Sequence, residues 1–229
     1  MPGGAASALP TSVQTALAFV LARPPPESPA TAGVARPIRI EVSIVMWKEP
    51  RGSLAGMPTL VRDPPPAEFE ELLERRRRLG QDLFDEVWEG VLHVNPAPHS
   101  RHGKVDGQLA VLLYGPARQA GLVESGPLNL GEPGDFRVPD RALLRPGPDA
   151  VYLSTAALAV EIVSPGDDTW EKLGFYGAHR VDELLIVDPN ERRVHWLALQ
   201  ADGEYRPIER SAMVALGPAE LAERIDWPE

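Results

Sequence analysis

Three charged side chains sit where apolar strands and a neighbouring helix would ordinarily exclude or expose them: Asp140, Glu161 and Lys172. Asp140 follows Phe136-Arg137-Val138-Pro139 and heads the apolar run Ala142-Leu143-Leu144, while Glu161 lies inside Leu158-Ala159-Val160-Glu161-Ile162-Val163. An ionised carboxylate buried without a partner is so costly that it calls for an ion pair, a raised pKa or a bound metal. Two such carboxylates and one lysine on adjacent elements point to a divalent-cation site with a cationic helper beside it. Taken singly, each group has a plainer reading. Asp140 suits a turn after proline, Glu161 a half-exposed edge strand, Asp168 a helix cap, and Tyr176 core packing with its hydroxyl turned to the site.

The elements that must position these groups can be read from the surrounding pattern. Residues 156–163 have the length and composition of a buried strand. Ser164-Pro165-Gly166 then turns the chain into a helix expected over 169–179, capped by Asp167 or Asp168, with Lys172 and Tyr176 one turn apart on one face. Residues 183–187 form the next strand, ended by Asp188-Pro189, and 193–199 with 204–208 a closing hairpin. Upstream, residues 84–96 read as strand, Glu89-Gly90 turn, strand. A helix follows from His99 or Ser100 to about Gly121, striped by Val105, Leu109, Leu112 and Leu113, and residues 122–130 alternate as one strand. His99 and His102, three apart at a helix start, lack a third ligand and are expected to have surface or capping roles. Residues 67–80 begin acidic and end in Arg75–Arg78 and Gly80, a helix whose arginines are expected to pair with its own glutamates. The order predicts a single α/β domain, a mixed sheet flanked by helices.

Residues 1–66 are different in kind. They hold twelve of the 25 prolines, and proline removes amide donors and blocks helix interiors. The expectation is a disordered or appended extension, 1–66, ahead of a domain over 67–229. Within it residues 39–47 alternate as a strand with no obvious partner, and Met57 would make a plausible start. The apolar stretch 15–22 is too short to span a membrane and no Lys or Arg precedes it. With no cysteine among 229 residues, thiol catalysis and disulfides are excluded, and a cytoplasmic setting fits. The net charge is -10, which counts against a non-specific nucleic-acid binder but not against an enzyme that meets phosphate through a metal.

In order and spacing, Pro139-Asp140, Glu161-Ile162-Val163-Ser164-Pro165, Asp168-x-x-x-Lys172-x-x-x-Tyr176 and Leu185-Ile186-Val187-Asp188-Pro189 resemble the Uma-two family, a branch of the PD-(D/E)XK phosphodiesterase superfamily. Glu86-Val87-Trp88-Glu89-Gly90 and Pro98-His99-Ser100-Arg101-His102 resemble that family's opening strand pair and its serine and histidine before the first long helix. The resemblance implies a restriction-endonuclease-like fold and metal-dependent cleavage of a nucleic-acid phosphodiester, with DNA as the expected substrate. It implies Asp140 and Glu161 as ligands of Mg2+ or Mn2+ and Lys172 as the group that orients water or stabilises charge. Glu89 would add an outer-shell contact through water, with Tyr176 and Asp168 in support. In the wider superfamily the lysine lies two residues after the second acid, where this chain has Val163; the narrower family moves it to the following helix, as here. No membrane partner is expected, and a symmetric dimer suits a double-strand cut. The alternative is a non-catalytic binding or regulatory protein that keeps the fold, which the acidic balance favours.

Overall fold

Five successive buried residues, Leu158–Ile162, form a strand with neighbours on both edges, and the rest of the fold is laid against its two faces. The structure, a computed structural model, describes residues 41–42, 59–60, 67–95, 97–164 and 168–229. In chain order these form β1 (Glu41–Val42), β2 (Thr59–Leu60), α1 (Ala67–Arg78), β3 (Glu86–Trp88), β4 (Val91–His93) and α2 (Ser100–Gln119). Strands β5 (Val123–Ser125), β6 (Asn129–Glu132), β7 (Asp135–Arg137), β8 (Arg141–Leu144), β9 (Tyr152–Leu153) and β10 (Leu158–Ile162) follow. A 3-10 turn over Thr169–Lys172 runs into α3 (Leu173–Ala178), and β11 (Glu183–Asp188), β12 (Arg193–Leu199), β13 (Tyr205–Pro207) and α4 (Pro218–Arg224) complete the chain.

The larger sheet has the order β13-β12-β11-β10-β8-β5. Its central pair, β10 and β11, is parallel, with Glu161 beside Ile186, and the flanking pairs are antiparallel. Because side chains alternate across a strand, β10 sends Leu158, Val160 and Ile162 to one face and Ala159 and Glu161 to the other. On the first face Val105, Leu109, Leu113 and Ala117 of α2 pack with these residues and with Leu221 of α4. On the second face Ala159, Leu184 and Ile186 pack with Tyr176 of α3 and Leu130 of β6. Thus a strand buried on both sides carries one carboxylate, and that carboxylate points at α3 and the smaller sheet.

The smaller sheet, β4-β3-β7-β6-β9, is also mixed. Its β3–β4 hairpin turns through Glu89 (φ 51) and Gly90 (φ 86), the two left-handed positions of a turn whose twist matches the strands. Gly131 binds this sheet to α3, since a Cβ there would stand 2.3 Å from the Asp135 carbonyl and 2.9 Å from the Phe175 ring.

The mixed α/β architecture flanked by helices is as expected, with four differences. Besides the two-stranded β1–β2 pair there are two mixed sheets rather than one, because residues 122–130 do not form a single strand: the chain breaks between β5 and β6, and the two halves join different sheets. The helix expected over 169–179 opens with a 3-10 turn. The short C-terminal α4, begun by Pro218 at its first position, was not anticipated. Arg76 of α1 pairs with Asp85 (2.8 Å) rather than with a glutamate of its own helix. Most of 1–66 lies outside the described residues; the exceptions are β1 and β2, which pair antiparallel, so 41–42 has a partner in 59–60. Among the described residues no helix is long and apolar enough to cross a membrane.

Candidate active site

Glu161 projects from β10 between the larger sheet and the 3-10 turn, and its carboxylate is met from above by two donors. Lys172 Nζ lies 3.1 Å from Oε1 and 3.2 Å from Oε2, and the Tyr176 hydroxyl donates to Oε1. The 3-10 turn places the lysine at its end and leads directly into α3, so that residues four apart both reach the strand. The same ammonium donates to Glu86 Oε1 at 2.9 Å. Glu86 is itself fixed by the Val138 N–H on Oε1 and the Trp88 indole N–H on Oε2, both at 2.7 Å. Strand β3 is held in turn by Arg137, whose guanidinium stacks over Trp88 (4.4 Å) and Phe175 (4.0 Å) and donates to the Val87 carbonyl.

Asp140 stands just before β8. The antiparallel register of β8 with β10 ends at Arg141 beside Val160, and one further step sets Asp140 opposite Glu161, where paired side chains share a face. Its Oδ2 accepts the Ile162 N–H at 2.8 Å, and its Oδ1 lies 3.0 Å from His102 Nε2 of α2.

Burial is the main force on the ionisable groups here. It pushes the Glu161 carboxyl up to about 8; Lys172 opposes the rise, while the neighbouring charges of Asp140 and Glu86 add to it. Burial works against the Lys172 ammonium as well, but Glu161 and Glu86 together outweigh it and hold the lysine above its ordinary value. Tyr176 is raised well above the usual phenol range by burial and by the same carboxylates, so it remains a donor. At His102 burial favours the neutral ring, yet the hydrogen bond and charge of Asp140, helped by Asp106 and Glu161, raise it overall. One ammonium shared by two glutamates leaves the buried carboxylates short of positive charge.

The donor set fits a hard ion. Among the described residues no three His, Cys, Asp or Glu side chains form a ready-made ligand cluster. Magnesium needs no such cluster: it is commonly held by one or two carboxylates, keeps several waters and takes substrate phosphate. Asp140 and Glu161 are carboxylates of that kind on neighbouring strands.

Of the residues singled out in the sequence, the fold brings Asp140, Glu161, Lys172 and Tyr176 together. Glu89 is not among them. It sits exposed on the hairpin turn with its N–H bonded to Asp135, and the acid of this hairpin that reaches Lys172 is Glu86, three residues earlier and 2% exposed. Asp168 precedes the 3-10 turn, where its carbonyl accepts the Glu171 N–H and its side chain makes no capping bond. His99 caps α2 as expected, its Nδ1 accepting from Arg101 N. His102 does not have the surface or capping role expected: it is buried against Asp140. Signals for both missed residues were present. Glu86 repeats the anomaly of a carboxylate next to strand-type residues, and His102 extends the Val105–Leu109 stripe one turn back.

A family model for Uma2, described as "Putative restriction endonuclease", matches residues 66–223. Among solved structures, the chain is similar to the crystal structure of "a putative nuclease belonging to DUF820" from Anabaena variabilis ATCC 29413. The two share 16% identity at a TM-score of 0.52, over 61% of this chain and 90% of that one. At that identity the likeness shows the fold. No curated protein matches.

Proposed function

The chain belongs to the Uma2 family of restriction-endonuclease-like proteins, and on that premise we propose that it is a divalent-metal-dependent endonuclease that hydrolyses phosphodiester bonds, with DNA as its substrate. The observation that carries this reading is the meeting of Glu161 with Lys172 and Tyr176, with Asp140 next to it across the strands. Asp140 and Glu161 would hold Mg2+ or Mn2+. Such an ion, when bound, lowers the pKa of a water ligand and neutralises charge on the phosphate oxygens.

The chain's own groups have narrower tasks. Lys172, whose charged form is favoured by two glutamates, offers N–H donors and positive charge to a phosphate oxygen or an attacking water. Glu86 anchors the ammonium from the smaller sheet, and Tyr176 orients the Glu161 carboxylate without giving up its proton. Val163 leaves the superfamily's usual lysine position apolar, and the 3-10 turn returns a lysine to the same carboxylate.

The test is cleavage of supercoiled plasmid with Mg2+ by the wild type and by Asp140→Ala, Glu161→Ala and Lys172→Ala. Loss of about 100-fold or more is expected in each variant, and no cleavage with EDTA. Equal behaviour of all four proteins would instead favour a non-catalytic binding protein that keeps the fold. An RNA substrate in parallel decides between the nucleic acids, and sedimentation tests the symmetric dimer that a double-strand cut would employ.

A further inference from the structure

We propose that His102 is a positioning residue of the ion site: its Nε2–H fixes the Asp140 carboxylate in the orientation that receives a divalent cation. This rests on the metal-dependent reading above and adds to it a residue that touches neither ion nor substrate.

An ionised carboxylate can only accept hydrogen bonds, so the 3.0 Å contact between His102 Nε2 and Asp140 Oδ1 requires the proton on Nε2. The other oxygen, Oδ2, accepts the Ile162 N–H at 2.8 Å. Asp140 is therefore clamped from two sides, by a rigid strand amide and by an imidazole on a different element. A carboxylate has about four acceptor positions, so the clamp fixes its rotation and still leaves lone pairs for an ion.

The ring is itself well fixed. His102 is 9% exposed, and Val105 and Leu109, next along the same stripe, are fully buried. Its Nδ1 is buried with no hydrogen-bond partner among the described residues. Interiors seldom leave a buried polar atom unpaired, and an apolar side chain on this stripe would avoid that cost. Among the described residues the one bond the imidazole makes to a side chain is the bond to Asp140, which identifies the benefit that offsets the unpaired nitrogen.

Hydrogen-bonded partners of metal-ligating side chains typically change metal affinity by about 10- to 100-fold when removed. The test is calorimetric titration of the full-length chain with Mn2+ alone, in the wild type, His102→Asn and His102→Gln, with melting temperatures recorded for each. The Gln amide nitrogen stands about as far from the backbone as Nε2 does, while that of Asn falls short, nearer the place of Nδ1. Binding should weaken by about 10- to 100-fold in His102→Asn and recover to near the wild-type value in His102→Gln. A merely structural histidine would move the melting temperature without separating the two. Equal affinity of His102→Asn and the wild type, or equal weakening in both variants, overturns the proposal. Should His102→Asn not fold, His102→Leu replaces it in the comparison under the same criteria. Asp140→Ala keeps the two readings apart. A wild type that takes up no Mn2+ removes the metal reading and this one together; a wild type that binds, an Asp140→Ala that does not, and an unchanged His102→Asn remove only the role of His102.

Discussion

Lys172 joins three parts of the molecule through one ammonium: β10 through Glu161, β3 through Glu86, and the 3-10 turn on which it rides. What the site needs is a cation over Glu161, and the backbone position that supplies it is secondary. Residue 163 lies two along the strand from Glu161 and shares its face, so a lysine there should serve in place of Lys172. The double variant Val163→Lys, Lys172→Ala is expected to regain at least about tenfold of the cleavage lost by Lys172→Ala, a loss of the size that removing one charge-stabilising donor brings. A plasmid assay of the two side by side, giving no recovery in a folded double variant, would show that the lysine must come from the turn. The meeting of Asp140, Glu161, Lys172 and Tyr176 was legible beforehand, because a carboxylate in an apolar run is an anomaly and because Lys172 and Tyr176 lie one turn apart on the element that follows. Glu86 and His102 were not. Each carries a local signal, a carboxylate beside strand-type residues and a histidine on an apolar stripe, but its decisive contact is with a residue far away in sequence, Glu86 with Lys172 and His102 with Asp140, and only the fold supplies that.

Elements here are joined by polar ties as well as by apolar faces, and α1 shows what such a tie costs. Arg76 reaches from its last turn to Asp85 Oδ1, which also accepts the Asn95 N–H, so one carboxylate links the helix to both ends of the β3–β4 hairpin. Burial raises the Asp85 carboxyl above its ordinary value despite Arg76 and the Asn95 amide, which pull it down. An acid raised by folding binds its proton more tightly in the folded chain. Its contribution to stability is therefore complete below the unfolded value near 3.8 and is lost as pH rises through the folded value. Asp85→Asn cannot titrate. The melting temperature of the wild type minus that of Asp85→Asn should be greatest near about pH 4 and shrink towards about pH 7; thermal melts across that range giving the opposite trend would mean that Arg76 outweighs burial. Sequence pattern located most of these elements to within a few residues, since α2, β10 and β11 have long uniform stripes or runs. It failed where the signal is short. Residues 122–130 read as one strand although Gly126-Pro127 stands between their halves, a pair that marks a turn and sits at the bend between β5 and β6; tertiary packing decides which sheet each half joins. Likewise α4 is two turns long and depends on Leu221 meeting the first face of the sheet.

The whole chain is acidic: of the net -10, the first 60 residues carry five basic and three acidic side chains, which leaves -12 for the rest. A protein of that charge gains little from the release of phosphate counterions, and its site adds three carboxylates of its own. For a nuclease of this charge, a divalent ion would supply much of the attraction for substrate. The dependence of affinity on salt measures this directly, because each phosphate neutralised by Lys or Arg contributes about 0.9 to the slope of log affinity against log salt. With a phosphorothioate duplex, which resists cleavage, and Mg2+ held constant, fluorescence anisotropy over a NaCl series should give a slope shallower than about -3, the equivalent of some three phosphate contacts. Binding should vanish with EDTA. A slope steeper than about -6, or EDTA-resistant binding, would require a basic groove provided by something other than the acidic fold, such as a second copy or the arginines at the end of α1. Arg75, Arg77 and Arg78 form no ion pair among the described residues, and replacing all three with glutamine would then lower the slope by about 3, whereas a cation-led encounter leaves it where it was.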